Sequence, residues 1–410
     1  MPAAPPSVNP FQTLLRHRNF RLFWSGQTLS LIGTWMQGMA EGWLALELSN
    51  SALVVGLVAA AQSLPVLLLS LNAGVIVDRT DKLRIVKIAQ TLFCIQAGSL
   101  WWFTWSGHLT VGWLLAFATM NGMITSFEIP ARQSLVIELV GREDLPGAIA
   151  LNSSGFNLAR VVGPSVGAIV IAKFGIAWCF GVNALSYLAV LIGLFMIHLP
   201  AWVPPEHLAS PLDGIREGVR YMRNTPSISA LMRFVTVYSV LGVPYLTLMP
   251  VFARNKLGLG ADGYGALLAC VGIGGVVGAL SLAALGDRMG RMRVLSISSF
   301  IFASLLVAFS IVRTPGYAYP ILLGVGFTMI ITSATANATI QSLVPNELRG
   351  RMMAAYSFVV VGLSSVVGSV LAGSIAHAIG VSWAIGGGAA IMFVYSYWAF
   401  ERRPELKAIS

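Results

Sequence analysis

Long apolar stretches recur along this chain, and only short polar linkers separate most of them. Twelve stretches have the length of a membrane-crossing helix, at approximately 20–47, 52–77, 85–106, 110–138, 147–172, 176–199, 228–253, 263–286, 294–313, 318–344, 352–377 and 381–400. About 20 mostly apolar residues are needed to cross about 30 Å of hydrocarbon as a helix. Composition agrees, since 56% of the 410 residues are hydrophobic and only 10% are charged. A soluble domain carries about 25% charge. The mean hydropathy of +0.77 leaves a membrane as the remaining solvent.

The stretches fall into two sets of six. Residues 200–227 form the one long polar connection, so the expected units are 1–199, a linker at 200–227, and 228–410. Within the linker, Leu212 to Arg223 carries apolar residues at 212, 215, 219 and 222, the spacing of a short amphipathic helix on a membrane surface. The halves also share landmarks. Asp78-Arg79 recurs as Asp287-Arg288, and Gln133-Ser134-Leu135-Val136 recurs unchanged as Gln341-Ser342-Leu343-Val344, at offsets of 209 and 208 residues. A membrane chain built twice from one half points to a secondary transporter whose site lies where the halves meet.

The net charge of +10 is a matter of placement. With the N-terminus inside, 21 of the 26 Lys and Arg residues lie on the cytoplasmic side. That asymmetry sets topology, so both termini are expected in the cytoplasm and nucleic-acid binding is not. Cys94, Cys179 and Cys270 are isolated, and the five histidines are scattered, so neither suggests a metal site. No phosphate-binding Walker loop is present, so no ATP-driven motor is visible. The polar, Pro-rich start from Met1 to Pro10 does not read as a cleavable signal peptide. Gly272, Gly274, Gly275 and Gly278 include a Gly-x-x-x-Gly spacing that permits close helix packing.

Several motifs resemble a known family. Asp78-Arg79 and Asp287-Arg288-Met289-Gly290-Arg291 are similar to the motif A loops of the major facilitator superfamily, and Gly163-Pro164-Ser165-Val166-Gly167-Ala168 to its fifth-helix antiporter motif. Trp35-Met36-Gln37, Pro130-Ala131-Arg132-Gln133, Asn157-Leu158-Ala159-Arg160 and Leu348-Arg349-Gly350-Arg351 resemble the branch containing the enterobactin exporter and related efflux permeases. Asp81 stands where the general motif has Gly, and Ala168 where a second Gly is usual. The resemblance implies an all-α membrane protein of twelve transmembrane helices in two pseudo-symmetric six-helix bundles around a cavity opening alternately to each side. It implies gating roles for Asp78, Arg79, Arg84, Asp287, Arg288, Arg291, Gly163 and Pro164. Asp78 would cap the eleventh helix near Gly350 when the cavity opens outward, since free N–H groups and the helix dipole favour an anion there.

Polar residues inside spans are costly and usually face the bundle interior. Here they form helical stripes: Gln27, Ser30, Thr34, Gln37 and Glu41 in the first span; Asn121, Thr125, Glu128 and Arg132 in the fourth; Thr328, Thr332, Thr335 and Thr339 in the tenth. Each stripe lies on one helix face. Glu128 and Arg160 sit on consecutive spans, each 16 residues from a turn expected near residue 144, and are expected at similar depth. As a switch, protonation of Glu128 would release Arg160 to an anionic substrate; as structure, they would be a permanent pair beside Pro130. Glu41 is a second carboxylate able to bind protons or cationic substrate, or simply a group at the wet cavity mouth. Trp35, Trp43, Tyr238, Tyr245 and Tyr356 are candidate aromatic walls, or interface anchors. The stripe threonines either bind substrate or bond to their own helix. Candidate coupling and binding residues are thus Glu41, Glu128, Arg160, Gln37, Thr34, Asn121, Asn157, Thr332 and Tyr245.

The expected function is export of small amphipathic molecules across a bacterial inner membrane by a monomeric, proton-coupled antiporter that needs no cofactor. The expected partners are a small-molecule substrate, protons and membrane lipids. Proton-coupled uptake or lipid movement by the same fold is the alternative. A membrane-bound enzyme or a substrate-free sensor are further classes. The first needs converging nucleophiles or metal ligands; the second would give no saturable flux in liposomes.

Overall fold

The computed structural model describes residues 10–200, 220–285, 290–402 and Leu406, and the regular structure of these residues is all helical. The first half contains α1 (Pro10–Arg16), α2 (Arg18–Ser49), α3 (Ala52–Asp78), α4 (Lys82–Trp105), α5 (Val111–Phe174) and α6 (Ala177–Phe195). The second contains α7 (Pro226–Val237), α8 (Tyr245–Leu257), α9 (Ala261–Leu285), α10 (Arg291–Ile311), α11 (Pro315–Leu343), α12 (Asn346–Ser357), α13 (Ser369–Ile379) and α14 (Val381–Arg402). Wide-turn π segments follow α7 at Tyr238–Gly242 and α12 at Phe358–Gly368.

Among the described residues, eight helices are long and apolar enough to cross a membrane. The difference from twelve has physical causes. The 64 residues of α5 are one continuous run by hydrogen bonding, yet Gly141 breaks them with φ 72° and ψ 176°. That left-handed φ favours glycine, which has no Cβ to clash. The turn comes at Gly141, slightly before its expected place near residue 144. The 32-residue α2 and 24-residue α4 have the length, but Gln27, Gln37 and Glu41 in α2, and Gln90, Gln96 and three tryptophans in the uncharged part of α4, dilute their apolar character. The 22-residue α14 is diluted by Ser, Gly, Tyr and Trp. The amphipathic segment expected at 212–223 lies mostly outside the described residues; 220–224 is helical.

Contacts between residues divide the chain into two compact units. The first comprises Met1–Ala40, Leu68–Leu109 and Met120–Leu208. Its core joins Phe20 and Phe23 of α2 to Val77, Val86, Leu135, Leu139, Leu151 and Leu194. A smaller cluster stacks Phe93 of α4 on Tyr187 of α6, with centroids 5.3 Å apart. Asp144, just past the Gly141 break, accepts from His17 Nε2 at 2.8 Å and lies 3.6 Å from Arg16 Nη1. These contacts tie the start of α2 to the turn in α5.

The second unit comprises Glu41–Leu67, Thr110–Thr119 and Ala209–Ser410. Here α11 packs extensively on α9 and α10, and α14 on α10 and α13. The α9–α11 crossing is close because it is built from glycine. A Cβ on Gly278 would come within 2.5 Å of Phe327 O, and one on Gly326 would strike Val271 O. The Gly-x-x-x-Gly spacing therefore works as backbone-to-backbone packing.

Asp81 starts α4: its Oδ1 accepts from Leu83 N at 2.9 Å and Arg84 N at 3.3 Å. Such a cap satisfies N–H groups that have no partner within the helix. Asp81→Ala should cost about 1 kcal/mol, read as a lower midpoint of thermal unfolding in detergent. An unchanged midpoint would mean that water replaces the cap fully.

Candidate functional site

The polar residues of the first unit converge between α2, α4 and α6. Gln37 Nε2 donates to Gln96 Oε1 at 3.2 Å, and Asn183 Nδ2 donates to Gln37 Oε1 at 2.7 Å. Ser186 Oγ donates to Asn183 Oδ1 at 3.0 Å. One turn away, Thr34 Oγ1 bonds to Ser30 O at 2.9 Å and pairs with the Tyr187 hydroxyl at 3.1 Å. The α2 stripe thus turns Gln37 and Thr34 onto α4 and α6. Gly33 makes room for this, because a Cβ there would collide with Asn183 Oδ1. Asn183, at 0% exposure, had no place in the sequence stripes. Its signal was available as a lone amide in the otherwise apolar α6. Removing it leaves Gln37 Oε1 without this donor, at a typical cost of 1–3 kcal/mol. Asn183→Leu should lower the unfolding midpoint more than Asp81→Ala does. Equal midpoints would show that the amide network contributes little.

Glu128 is 5% exposed, on the first arm of α5. Its Oε1 accepts from Arg132 Nε at 2.8 Å, one turn along the same helix. An (i, i+4) pair needs no tertiary arrangement, and both residues belong to the stripe seen in the sequence. Asn121 is buried on that arm and accepts from Thr125 Oγ1 at 3.4 Å. On the second arm, Asn157 Nδ2 donates to Ser153 O at 2.8 Å, and Arg160 is half-buried. Gly163 and Pro164 are buried. A Cβ on Gly163 would lie 2.8 Å from Ile32 O and 2.6 Å from Trp35 Cβ, so this glycine lets α5 meet the α2 backbone.

In the second unit, Glu41 is buried near the end of α2. Trp43 beside it stacks on Tyr264, with centroids 5.9 Å apart. Tyr238, Tyr245 and Tyr356 converge on the middle of α11. The Tyr238 hydroxyl donates to Met329 O at 3.1 Å, the Tyr356 hydroxyl to Ser333 O at 3.4 Å, and the Tyr245 hydroxyl contacts Met329 Sδ at 3.7 Å. Tyr238 and Tyr245 also pack on Phe302. The α11 threonines are buried against their surroundings: Thr332 Oγ1 donates to Ser298 Oγ of α10 at 2.8 Å, and Thr328 and Thr339 donate to carbonyls of their own helix. Gly56 of α3 faces Ser369 O and Gly373 of α13 so closely that a Cβ would collide with the Ser369 carbonyl. Next to this seam, Ser51 pairs with His377 at 3.4 Å, and Arg254 Nη1 donates to Leu46 O at 3.5 Å.

Asp78 ends α3, Arg79 follows it and Arg84 lies in the first turn of α4; all three are exposed. Lys82 Nζ lies 3.8 Å from Glu138 Oε1 of α5. Arg291 is exposed at the start of α10, whereas Asp287 and Arg288 lie outside the described residues. No group of three or more His, Cys, Asp or Glu side chains suited to a metal occurs among the described residues.

A family model described as transmembrane secretion effector matches residues 9–408. The chain is 24% identical over 290 residues to the staphyloferrin A transporter of Staphylococcus aureus (strain NCTC 8325 / PS 47), covering 70% of this chain and 72% of that protein. It is 25% identical over 352 residues to the multidrug efflux pump Tap of Mycolicibacterium fortuitum, covering 84% and 85%. It is 24% identical over 349 residues to the enterobactin exporter EntS of Shigella flexneri, covering 83% and 80%. Among solved structures, it resembles a bacterial homologue of the human lysosomal transporter Spinster in an inward-facing, unoccupied conformation, with TM-score 0.75, 13% identity and 97% of each chain covered. It also resembles a D-xylose–proton symporter, with TM-score 0.72, 15% identity, and 95% and 98% covered. At such identities these structures share its fold.

Proposed function

Because the chain belongs to the transmembrane secretion effector family of the major facilitator superfamily, we propose that it exports small amphipathic molecules, drug-like or siderophore-like, by proton antiport. It is a membrane transporter and not an enzyme. The observation that carries the export reading is agreement among relatives: a drug efflux pump and a siderophore exporter each align over four fifths or more of their length. Counting α5 as two crossings and adding α2, α4 and α14 gives twelve helices, six in each half, with both termini in the cytoplasm of a bacterial cell. The working unit is a monomer in the inner membrane.

Glu128 and Glu41 are the proposed proton carriers, since both are carboxylates buried in helices that cross the membrane. A proton taken from outside neutralises the carboxylate and releases substrate; proton loss to the cytoplasm resets the site. Arg132, bonded to Glu128, holds the carboxylate in place between those events. Arg160 on the facing arm is the group for an anionic substrate, while the carboxylates suit a cation. Gating falls to the exposed Asp78 loop at one end and the Gly56–Gly373 seam at the other.

The test is uncoupler-sensitive efflux from cells lacking their own exporters, with cationic dyes and a catecholate siderophore as probes. Export that collapses on uncoupling supports the reading. Probe accumulation driven by the proton gradient would replace export by uptake.

A further inference from the structure

In the first forty residues of the sequence the basic side chains are Arg16, His17, Arg18 and Arg21, and the first acidic residue is Glu41. This basic run joins α1 to α2. The two faces of α1 differ. Thr13 is fully buried, and Leu14 packs against the core of the first unit. Phe11 and Leu15, one turn apart on another face, are 70% and 74% exposed.

Cations flank that apolar face. The Arg16 side chain is 65% exposed, although its Nη1 lies 3.6 Å from Asp144 Oδ1. A guanidinium carries five N–H donors, so Arg16 can serve a second anion. Arg18 and Arg21 are exposed in the first turn of α2. Ser25 and Leu29 continue the same exposed stripe, at helical spacing. The stripe thus passes from two cations to an aliphatic surface, the order met on going from lipid headgroups to acyl chains.

The segment is also held from behind. His17 Nε2 pairs with Asp144 Oδ2 at 2.8 Å, and Asn19 Nδ2 donates to His198 O at 3.0 Å. The exposed face is therefore set in place before anything binds it, which lowers the cost of ordering. Arg142 and Glu143, exposed beside Asp144, offset one another in charge. A soluble anion would satisfy the arginines and leave Phe11 and Leu15 in water. An anionic lipid leaflet uses both, with phosphates for the cations and the acyl boundary for the apolar face.

We propose that α1 and the first turn of α2 form an anchor for anionic membrane phospholipid. Phe11 and Leu15 enter the acyl boundary, and Arg16, Arg18 and Arg21 bind lipid phosphates. The anchor rests on α2 crossing the membrane, and is independent of transport direction and of the molecule carried.

Hydrogen–deuterium exchange of the full-length protein in nanodiscs of phosphatidylglycerol or phosphatidylcholine tests this. Amides of α1 should exchange at least about 25-fold slower in phosphatidylglycerol, at about fivefold for each of Arg18 and Arg21. That difference should shrink by about the same factor when Arg18→Gln and Arg21→Gln are combined. Leu15→Gln, which removes little packing within the protein, should speed α1 exchange about tenfold in both lipids. Equal exchange of wild-type α1 in the two lipids, or an undiminished difference in the double variant, would overturn the proposal. So would wild-type exchange in Leu15→Gln, or slow exchange reproduced in phosphatidylcholine by millimolar inorganic phosphate, which would assign the arginines to a soluble anion. Amides in the middle of α2 report the crossing separately: rapid exchange there would remove the membrane span on which the anchor depends.

Discussion

Glu128→Gln should eliminate uncoupler-sensitive efflux, by at least about tenfold, while the protein still inserts and folds. Glutamine keeps the length of the side chain and an oxygen that can accept from Arg132 Nε, now 2.8 Å from Glu128 Oε1. What it cannot do is bind and release a proton. The structural cost is bounded by where Arg132 sits. Its side chain is 22% exposed, so an unpaired guanidinium can reach toward water rather than stay buried. A fully enclosed cation would cost several kcal/mol. The measurement is efflux alongside substrate binding to purified protein. Lost efflux with retained binding marks a coupling residue. Normal efflux with a normal response to uncoupler would remove Glu128 from the mechanism and leave Glu41 as the carboxylate to test. Arg132→Gln separates the two roles further. It leaves the carboxylate chemistry in place but loosens its position, so efflux should fall less than in Glu128→Gln.

How far the sequence led differs between fold and site, for a physical reason. Helix length is written in hydropathy, so the crossing segments were legible to within a few residues at α3, α6 and α9. The stripes were legible as well, because helical spacing places residues on one face. Which neighbour that face meets is a tertiary fact. Gln37 and Thr34 meet α4 and α6 through Gln96 and Tyr187, and Thr332 meets Ser298 of α10. Nothing in the spacing of α2 or α11 specifies those partners. The Glu128–Arg132 bond is the reverse case. It is local, an (i, i+4) pair within one helix, whereas the expected partner Arg160 lies on the other arm of α5. Glycine behaved similarly. Gly163 stood out through its motif, and its contribution is close approach to the backbone at Ile32. Gly56 carries no motif, and only its distance from Ser369 and Gly373 singles it out.

That distance gives the second strong expectation: Gly56→Leu should stop transport without unfolding the protein. A side chain at 56 collides with the Ser369 carbonyl and lies against the Gly373 Cα, 3.4 Å from the position of its own Cβ. Backbone atoms cannot swing aside as a flexible side chain can, so α3 and α13 must separate by several ångströms. Gly373 answers in kind, with a Cβ there falling 2.8 Å from Ala52 O. A seam between helices from the two sequence halves is what alternating access must open and close. Wedging it apart should favour the state in which this side is open. Substrate efflux should then drop to background while the amount of protein in the membrane stays normal. A cysteine placed at Ser51, which pairs with His377 beside the seam, should react faster with a membrane-impermeant maleimide in the Gly56→Leu background. Gly56→Ala, with a single added carbon, should be milder and partly active. If the leucine variant transports normally, the seam is not a gate. If it is lost from the membrane altogether, the seam is a packing element that the fold requires in every state, and the gate must be sought at the exposed Asp78 loop instead.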